Sequence, residues 1–207
     1  MLLMGVRFIH KIGIMCVKSA KCNIMFSFGK LIIQTAVIKI ETDREKIAAY
    51  AEIKADENES FRTYLQNRNS QMVDQMVHEL NALVEPQVDC TACGACCNGL
   101  MINVTQPELE SVAAHLAMPN DLFKSQYIEE SLGGMMIINT IPCHFLHEKK
   151  CTMYEHRFKE CRDFPHLHKP NFTDRLFGTL MHYSICPIIF NVIEQLKIET
   201  AFLNVKQ

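Results

Sequence analysis

Apolar residues recur at helical spacing in three separate stretches of the chain, residues 73–84, 109–116 and 188–196. Steps of three and four residues place apolar side chains on one helix face, so each stretch predicts an amphipathic helix. Pro86 should end the first helix, because proline cannot continue one. The positions concerned are Val73, Met76, Val77, Leu80, Leu83, Val84, Leu109, Val112, Ala113, Leu116, Ile188, Ile189, Val192, Ile193 and Leu196.

Two capping boxes predict where further helices begin. In this motif a threonine at the helix N-cap is followed three residues later by a glutamate that reaches back to it. Thr42 and Glu45 form the first box, ahead of a mostly polar helix through Ile53. Thr105 and Glu108 form the second, directly before the apolar stripe of residues 109–116.

The remaining regular structure should be short. Asn120 or Asp121 is expected to cap a helix that runs through Ile128. Residues 101–104 and 135–138 predict two short strands, the second set apart by the glycine pair just before it. Residues 140–187 are rich in loop signals. The predicted fold class is therefore α+β and mostly helical, an irregular cysteine-rich domain with a few short strands flanked by helices.

Charge divides the chain into an arm and a body. Residues 1–40 contain six cations and no acid, which leaves 15 cations and 23 acids in the remainder. A cation-only arm before an acidic body indicates a separate segment. We predict a basic arm at 1–40, a helical segment at 41–85 and a cysteine-cluster domain at 86–200. The arm is a non-native or disordered extension, a packed element or a targeting segment.

Nucleic acid is not predicted as a partner, and no transmembrane segment is predicted, although membrane contact by the basic arm stays open. A net charge of −2 does not attract nucleic acid by bulk electrostatics. The longest apolar run, residues 22–38, is interrupted by Lys30 and is short of the roughly 20 apolar residues that span a bilayer. It also lacks the small-residue cleavage site of a secretory signal. These features predict a cytoplasmic protein without a transmembrane segment.

Ten cysteines in 207 residues carry the candidate chemistry. Cys90, Cys93, Cys96 and Cys97 lie within eight residues, and pairs separated by two residues can turn both sulfurs toward one ion. The small residues among them allow a tight backbone. Four more cysteines follow at wide intervals, namely Cys143, Cys151, Cys161 and Cys186. We predict that these eight bind metal and hold distant loops together, whereas Cys16 and Cys22 lie in the arm and are excluded.

The cysteine spacing constrains stoichiometry more than it identifies the metal. Eight thiolates are too much negative charge for one divalent ion, and the adjacent pair Cys96–Cys97 cannot easily join Cys90 and Cys93 on one zinc. We expect the pair to split between two sites, or one member to bridge or stay free. Zinc and iron both suit thiolate ligands. The spacing from Cys90 to Cys96, with Cys186-Pro187, matches a bacterial ferredoxin pattern and makes a [4Fe–4S] cluster the iron alternative.

The full pattern resembles the CxxCxxCC family of YkgJ-type cysteine-cluster proteins, which are described as zinc- or iron-chelating. The resemblance covers roughly residues 86–190 and includes all eight cysteines. It rests on Cys90-x-x-Cys93-Gly94-x-Cys96-Cys97, Cys143-x-Phe145-Leu146, Cys151-x-Met153-Tyr154-x-x-Arg157-x-x-x-Cys161-Arg162-x-Phe164-Pro165 and Cys186-Pro187. Phe158 stands where the family usually has proline. One branch of the family resembles enzymes that methylate lysines of flagellin.

Two functions from different classes remain at this point. The first is a metal-binding protein whose thiolates serve structure, chelation or docking of a protein partner. The second is an iron–sulfur enzyme of redox or group-transfer type, for example related to protein lysine N-methylation; no catalytic residue can be named. Basic neighbours could offset thiolate charge: Lys149, Lys150, Arg157, Arg162, Lys169 and Arg175. Nearby histidines could replace a ligand: His144, His147, His156, His166, His168 and His182.

Overall fold

The computed structural model describes residues 39–203, which lie within one compact unit. Nine α-helices occur in this part of the chain: α1 Arg44–Ile53, α2 Ala55–Gln66, α3 Ser70–Val84, α4 Cys90–Cys93, α5 Gln106–His115, α6 Asn120–Tyr127, α7 Lys159–Asp163, α8 Phe172–Leu180 and α9 Pro187–Glu199. The strands are β1 Asn103–Val104, β2 Ile128–Glu130, β3 Met136–Ile138, β4 Leu146–His147 and β5 Lys150–Cys151. The predicted α+β, mostly helical class is confirmed.

One hydrophobic core, called here the helical core, is built by α1, α2, α3, α8 and α9. The amphipathic faces of α3 and α9 pack against each other, and α8 packs on α2 and α3. Val77, Leu176, Ile189 and Phe61 are fully buried in it, and Tyr183 is only 1 % exposed. Each fully buried side chain of this size stabilises the fold by about 1.5–3 kcal/mol relative to its exposed state.

A second hydrophobic core, called here the sheet core, lies around the small sheet. β3 is the central strand, and both β1 and β2 pair with it antiparallel. α5 and α6 pack together beside it, and Phe123 is completely buried there. The core also contains Phe145 and Phe158, which come from the cysteine-rich loops. These loops are therefore ordered partly by apolar side chains of their own.

Helix starts differ from the prediction in two of three cases. The N-cap of α1 is Asp43, whose carboxylate accepts from the amides of Glu45 at 3.0 Å and Lys46 at 3.3 Å. Thr42 is thus not the cap, because the neighbouring aspartate offers a stronger acceptor. Pro119 occupies the N-cap of α6, without a side-chain cap bond. The box at Thr105 is confirmed, with its backbone amide donating to the Glu108 carboxylate at 3.0 Å.

Helices α4, α7 and α8 were not predicted, and α2 was predicted only as part of the helical segment 41–85. α8 lies in the stretch expected to be loop, and its N-terminus is capped from another helix. Asp74 of α3 accepts from the backbone amides of Asn171 and Phe172, both at 2.8 Å. Asn171 itself has φ of 57°, a left-handed conformation that asparagine tolerates. One further detail differs: Leu116, placed in a buried stripe, is 36 % exposed.

Between residues 39 and 203, every helix is too short or too polar to cross a membrane. The predictions made for the basic arm, including Cys16 and Cys22, fall almost entirely outside the described residues. The boundary placed at residue 85 stays a prediction, although α3 before it and α9 after it share the helical core.

Candidate metal centre

All eight clustered cysteines line one cavity of about 140 Å³. The thiols arrive from five different parts of the fold, so the cavity exists only in the folded chain. Apolar side chains from both cores complete its wall. The cysteines are Cys90, Cys93, Cys96, Cys97, Cys143, Cys151, Cys161 and Cys186.

The first two cysteines occupy a single helical turn. Cys90 and Cys93 are the first and last residues of α4, so they lie three apart on adjacent positions of one face. Asp89 caps this turn by accepting from the amides of Thr91 at 2.9 Å and Ala92 at 3.3 Å. This cap was not predicted, because the cysteines and threonine that follow Asp89 are weak helix formers, even though aspartate is a favoured N-cap residue.

Gly94 ends α4 and lets a neighbouring hairpin approach it. Its φ is +58°, which a residue with a side chain rarely adopts. A Cβ atom built on Gly94 would lie 2.5 Å from the carbonyl oxygen of Lys149 in the β4–β5 turn. The turn carrying Lys149 therefore packs directly on this glycine. Cys151 follows in β5, on the same hairpin.

Backbone hydrogen bonds hold the next cysteines against the first group. The amide of Cys143 donates to the carbonyl oxygen of Cys97 at 3.0 Å, across 46 residues of sequence. The amide of Leu146 then donates to the carbonyl oxygen of Cys143, also at 3.0 Å, at the start of β4. The tip of the β4–β5 hairpin has two residues with positive φ, Glu148 and Lys149.

The last two thiols sit at helices. Cys161 lies in α7, which is attached to the sheet core by Glu160: its carboxylate accepts from the amide of Asn103 at 3.0 Å. Cys186 precedes α9, whose first residue is Pro187, a position that favours proline because its missing N–H is not needed there. Cys186 is 7 % exposed and belongs to the helical core.

The thiols are close enough for their charges to interact, and one group contains Cys90, Cys93, Cys96 and Cys186. Burial raises the pKa of Cys90, and negative charge on Cys96 and Cys93 raises it further. Burial likewise raises the pKa of Cys186 to about 12, with contributions from charge on Cys90 and Cys96.

A second group contains Cys97, Cys143, Cys151 and Cys161. The hydrogen bond with Cys96 raises the pKa of Cys97, and burial and the charges of Cys96, Cys151 and Cys143 act in the same direction. Burial raises the pKa of Cys143, with further contributions from charge on Cys151 and Cys96. Burial also raises the pKa of Cys161 to about 12, together with charge on Cys143, Cys96 and Cys151.

Cys96 differs from the other thiols and interacts with both groups. Its hydrogen bond with Cys97 lowers its pKa to about 7, against the opposing effect of burial. The positive charge of Arg157 contributes in the same direction as the hydrogen bond. Since the thiolate is the form that ligates metal, the hydrogen-bonded pair of Cys96 and Cys97 is suited to give up one proton to an ion.

Three of the six predicted basic neighbours line the cavity, namely Lys149, Arg157 and Arg162. The Nε atom of Arg157 is buried and has no hydrogen-bond partner within residues 39–203. Arg175 instead binds backbone carbonyl oxygens outside the cavity, those of Pro170 and His166, each at 3.0 Å. Lys150 and Lys169 are absent from the lining.

The donor set fits zinc or iron chemically. All-thiolate sites are those that zinc and iron–sulfur clusters use. Within residues 39–203, no three side chains of cysteine, histidine, aspartate or glutamate are already grouped around one point as ligands. Thiols whose pKa is raised are protonated, so binding requires them to lose protons and turn toward the ion. The cavity would supply ligands, and the metal would supply the cross-link between them.

None of the six nearby histidines lines the cavity. His144 instead contacts the Asn139 side-chain oxygen at 2.7 Å. His147, Glu148 and Cys151, which partly match a metalloprotease helix motif, lie on the β4–β5 hairpin. They cannot present ligands from one helix face, as that motif requires.

Comparison with known proteins identifies the cysteine-rich region. Residues 89–182 match the sequence model of the CxxCxxCC family, described as "Putative zinc- or iron-chelating domain". No curated protein and no solved structure is significantly similar to the chain. The family description supports a metal-binding role. The match ends before Cys186, which lines the same cavity. Over residues 89–182, slightly less than half of its length, this chain is thus similar to the CxxCxxCC family.

Proposed function

We propose that this protein binds zinc or iron through the eight thiols of the cavity, and that the bound metal organises the cysteine-rich region. The observation that carries the proposal is the convergence of all eight thiols on one cavity. The eight cysteines span 97 residues of sequence, from 90 to 186. Burial without a ligand role does not by itself bring together so many side chains of one type.

The architecture supports a structural role for the metal. Residues 140–158 contain only two-residue strands and one short 3₁₀ turn. Such loops lose backbone entropy on folding that their limited apolar burial offsets only in part. A metal bound by thiolates from separate loops stabilises the fold by its binding free energy, since the unfolded chain has no preformed site.

The test is metal content after anaerobic purification. We expect the wild-type protein to retain zinc or iron, and Cys93→Ser or Cys151→Ser to retain less and to unfold at lower temperature. Cys22→Ser is the matched control, because this cysteine lies outside the matched domain. Chelation should lower the melting temperature of wild type and control alike. Wild-type protein without metal, or unchanged metal content in both cavity variants, would contradict the proposal.

An iron–sulfur enzyme, of redox or group-transfer type, is the second candidate. It is favoured because Cys186-Pro187 lines the same cavity as the Cys90–Cys96 run. The two segments together resemble the ligand pattern of bacterial ferredoxins. Brown protein with iron and sulfide in equal amounts would favour this candidate, including the branch related to protein lysine N-methylation. Colourless protein containing zinc would favour the structural or chelating role.

The proposed compartment is the cytoplasm. The eight cavity cysteines are all free thiols. Free thiols stay reduced in the cytoplasm through glutathione and thioredoxin, whereas an oxidising compartment favours disulfides. A count of free thiols in protein denatured directly after cell lysis tests this point. An oxidising compartment would leave disulfides and therefore a lower count.

A further inference from the structure

We infer that the eight thiols form two separate four-thiol metal centres. One contains Cys90, Cys93, Cys96 and Cys186, and the other contains Cys97, Cys143, Cys151 and Cys161. The inference rests on the proposed metal binding and goes beyond it by assigning each cysteine to a centre.

The two hydrophobic cores separate the distant cysteines. Cys186 is buried in the helical core, where it precedes α9. Cys143, Cys151 and Cys161 instead pack against the sheet core. The cavity lies where side chains of both cores meet, with Ile188 from one and Phe145 from the other in its wall. Distant ligands thus reach the cavity from two sides.

The first cysteine group runs from one core to the other. Val88, before it, packs against the helical core, and Leu100, after it, packs against the sheet core. Cys90 lies two residues after Val88, at the end of this segment that meets the helical core, and Cys186 belongs to the same core. Cys97 at its end is bonded through its carbonyl oxygen to the amide of Cys143. The order of the cysteines along the segment therefore matches the order of the two cores.

The adjacent pair divides at Cys96 and Cys97. Both residues lie in a 3₁₀ turn, Cys96–Asn98. In a 3₁₀ helix successive residues are rotated by about 120°, so the Cα–Cβ bonds of Cys96 and Cys97 diverge, although their thiols remain close enough to share a hydrogen bond. One ion cannot readily take both thiolates along with two from α4. Giving Cys96 to the first centre and Cys97 to the second completes four ligands in each, which is the number that both structural zinc and a [4Fe–4S] cluster take.

The positive side chains of the cavity wall are consistent with two centres. Four thiolates around one zinc ion have a net charge of −2, so two zinc centres would have −4 in total. Lys149, Arg157 and Arg162 line the same cavity as the eight thiols, so their positive charges offset part of that negative charge.

The experiment measures metal stoichiometry and thiol protection on the full chain. Elemental analysis of wild type should find the metal content of two centres per chain, which is two ions if the metal is zinc. Cys186→Ser should remove one centre and leave the other, and Cys161→Ser should do the converse. With Cys22→Ser as control, cobalt substitution should show two thiolate-to-cobalt absorption steps in wild type and one in each cavity variant.

A second measurement needs no variant and thus does not depend on the folding of one. Wild-type protein is stripped slowly with a chelator while exposed thiols are alkylated and identified by mass spectrometry. The thiols should become reactive in two groups of four with the membership given above. A single centre, release of all eight thiols in one step, or groups of other membership would overturn the two-centre inference while leaving metal binding intact. Protein that binds no metal would overturn the proposed function itself.

Discussion

The guanidinium carbon of Arg157 lies 3.6 Å from the centre of the Tyr154 ring. Stacking at this distance fixes the plane of the guanidinium and is favourable by about 0.5–2 kcal/mol, depending on how far the pair is desolvated. The backbone is held as well, since Arg162 donates to the Arg157 carbonyl oxygen. A positive side chain whose buried Nε donor has no hydrogen-bond partner within residues 39–203 is thereby held at the wall of the thiol cavity.

The first prediction concerns this arginine. Arg157→Gln should weaken metal binding about tenfold or more, because it removes a charge and a donor next to thiolate ligands. Arg157→Lys should restore part of the loss, since it keeps the charge. The measurement is the rate and equilibrium of metal transfer to a competing chelator. Lys150→Gln, in β5 beside Cys151 but outside the cavity lining, is the control. Equal affinity in wild type and Arg157→Gln would show that the arginine only packs.

The second prediction concerns the contact of Gly94 with the Lys149 carbonyl. Gly94→Ala should destabilise the domain by about 2–4 kcal/mol, from a strained positive φ and an overlap with backbone that cannot rotate away. Gly99→Ala is a matched control, because nothing lies within 4 Å of a Cβ there and its φ is negative. Chemical denaturation should show a clearly lower free energy of unfolding for Gly94→Ala than for Gly99→Ala. Similar stability of both would mean that the hairpin does not depend on this contact.

The third prediction concerns the cap that α3 supplies to α8. Asp74→Ala should cost about 1–2 kcal/mol of stability, because it leaves two backbone amides of α8 without their acceptor. Asp74→Asn should cost less, since one oxygen remains to accept. Gln71→Ala, an exposed position on the same helix, is the control. Hydrogen exchange at Asn171 and Phe172 should be faster in Asp74→Ala alone; unchanged exchange would argue against the cap.

Local sequence signals predicted those elements whose determinants are local. α3 and α9 followed from their apolar spacing, and β3 from the glycines before it. α8 did not follow, since the acceptor that caps it lies 97 residues earlier, on Asp74. The N-cap of α1 is Asp43 and not the preceding Thr42, and motif spacing alone cannot distinguish two adjacent capping residues.

The candidate site shows the same division. The cysteine spacing identified all eight thiols that line the cavity. It did not identify the side chains that close the wall around them, such as Phe145 and Ile185, because apolar residues in loops have no characteristic period. Nor could it show that Cys143 binds the backbone of Cys97, a relationship that only the folded chain defines.

The fourth prediction concerns a charged network at the edge of the helical core, centred on Glu194. Its carboxylate accepts from Lys197 and from the Tyr183 hydroxyl, each at 2.7 Å, and pairs with Lys54. Lys197 also donates to Glu57 at 2.6 Å. Burial by itself raises the pKa of Glu194, but the hydrogen bonds from Lys197 and Lys54 outweigh it and hold the pKa below its ordinary 4.5.

A carboxyl group whose pKa is lowered by folding stabilises the fold above its unfolded pKa, and this stabilisation is lost as pH falls through the folded pKa. Glu194→Gln should therefore cost about 2 kcal/mol near neutral pH, where it removes the partner of two lysines. The difference in free energy of unfolding between Glu194→Gln and wild type should become smaller as pH falls below 4.5. Glu129→Gln, an exposed position on β2, is the control. Urea denaturation at several pH values measures the gap, and a gap that stays constant with pH would show that the Glu194 carboxylate charge contributes nothing to stability.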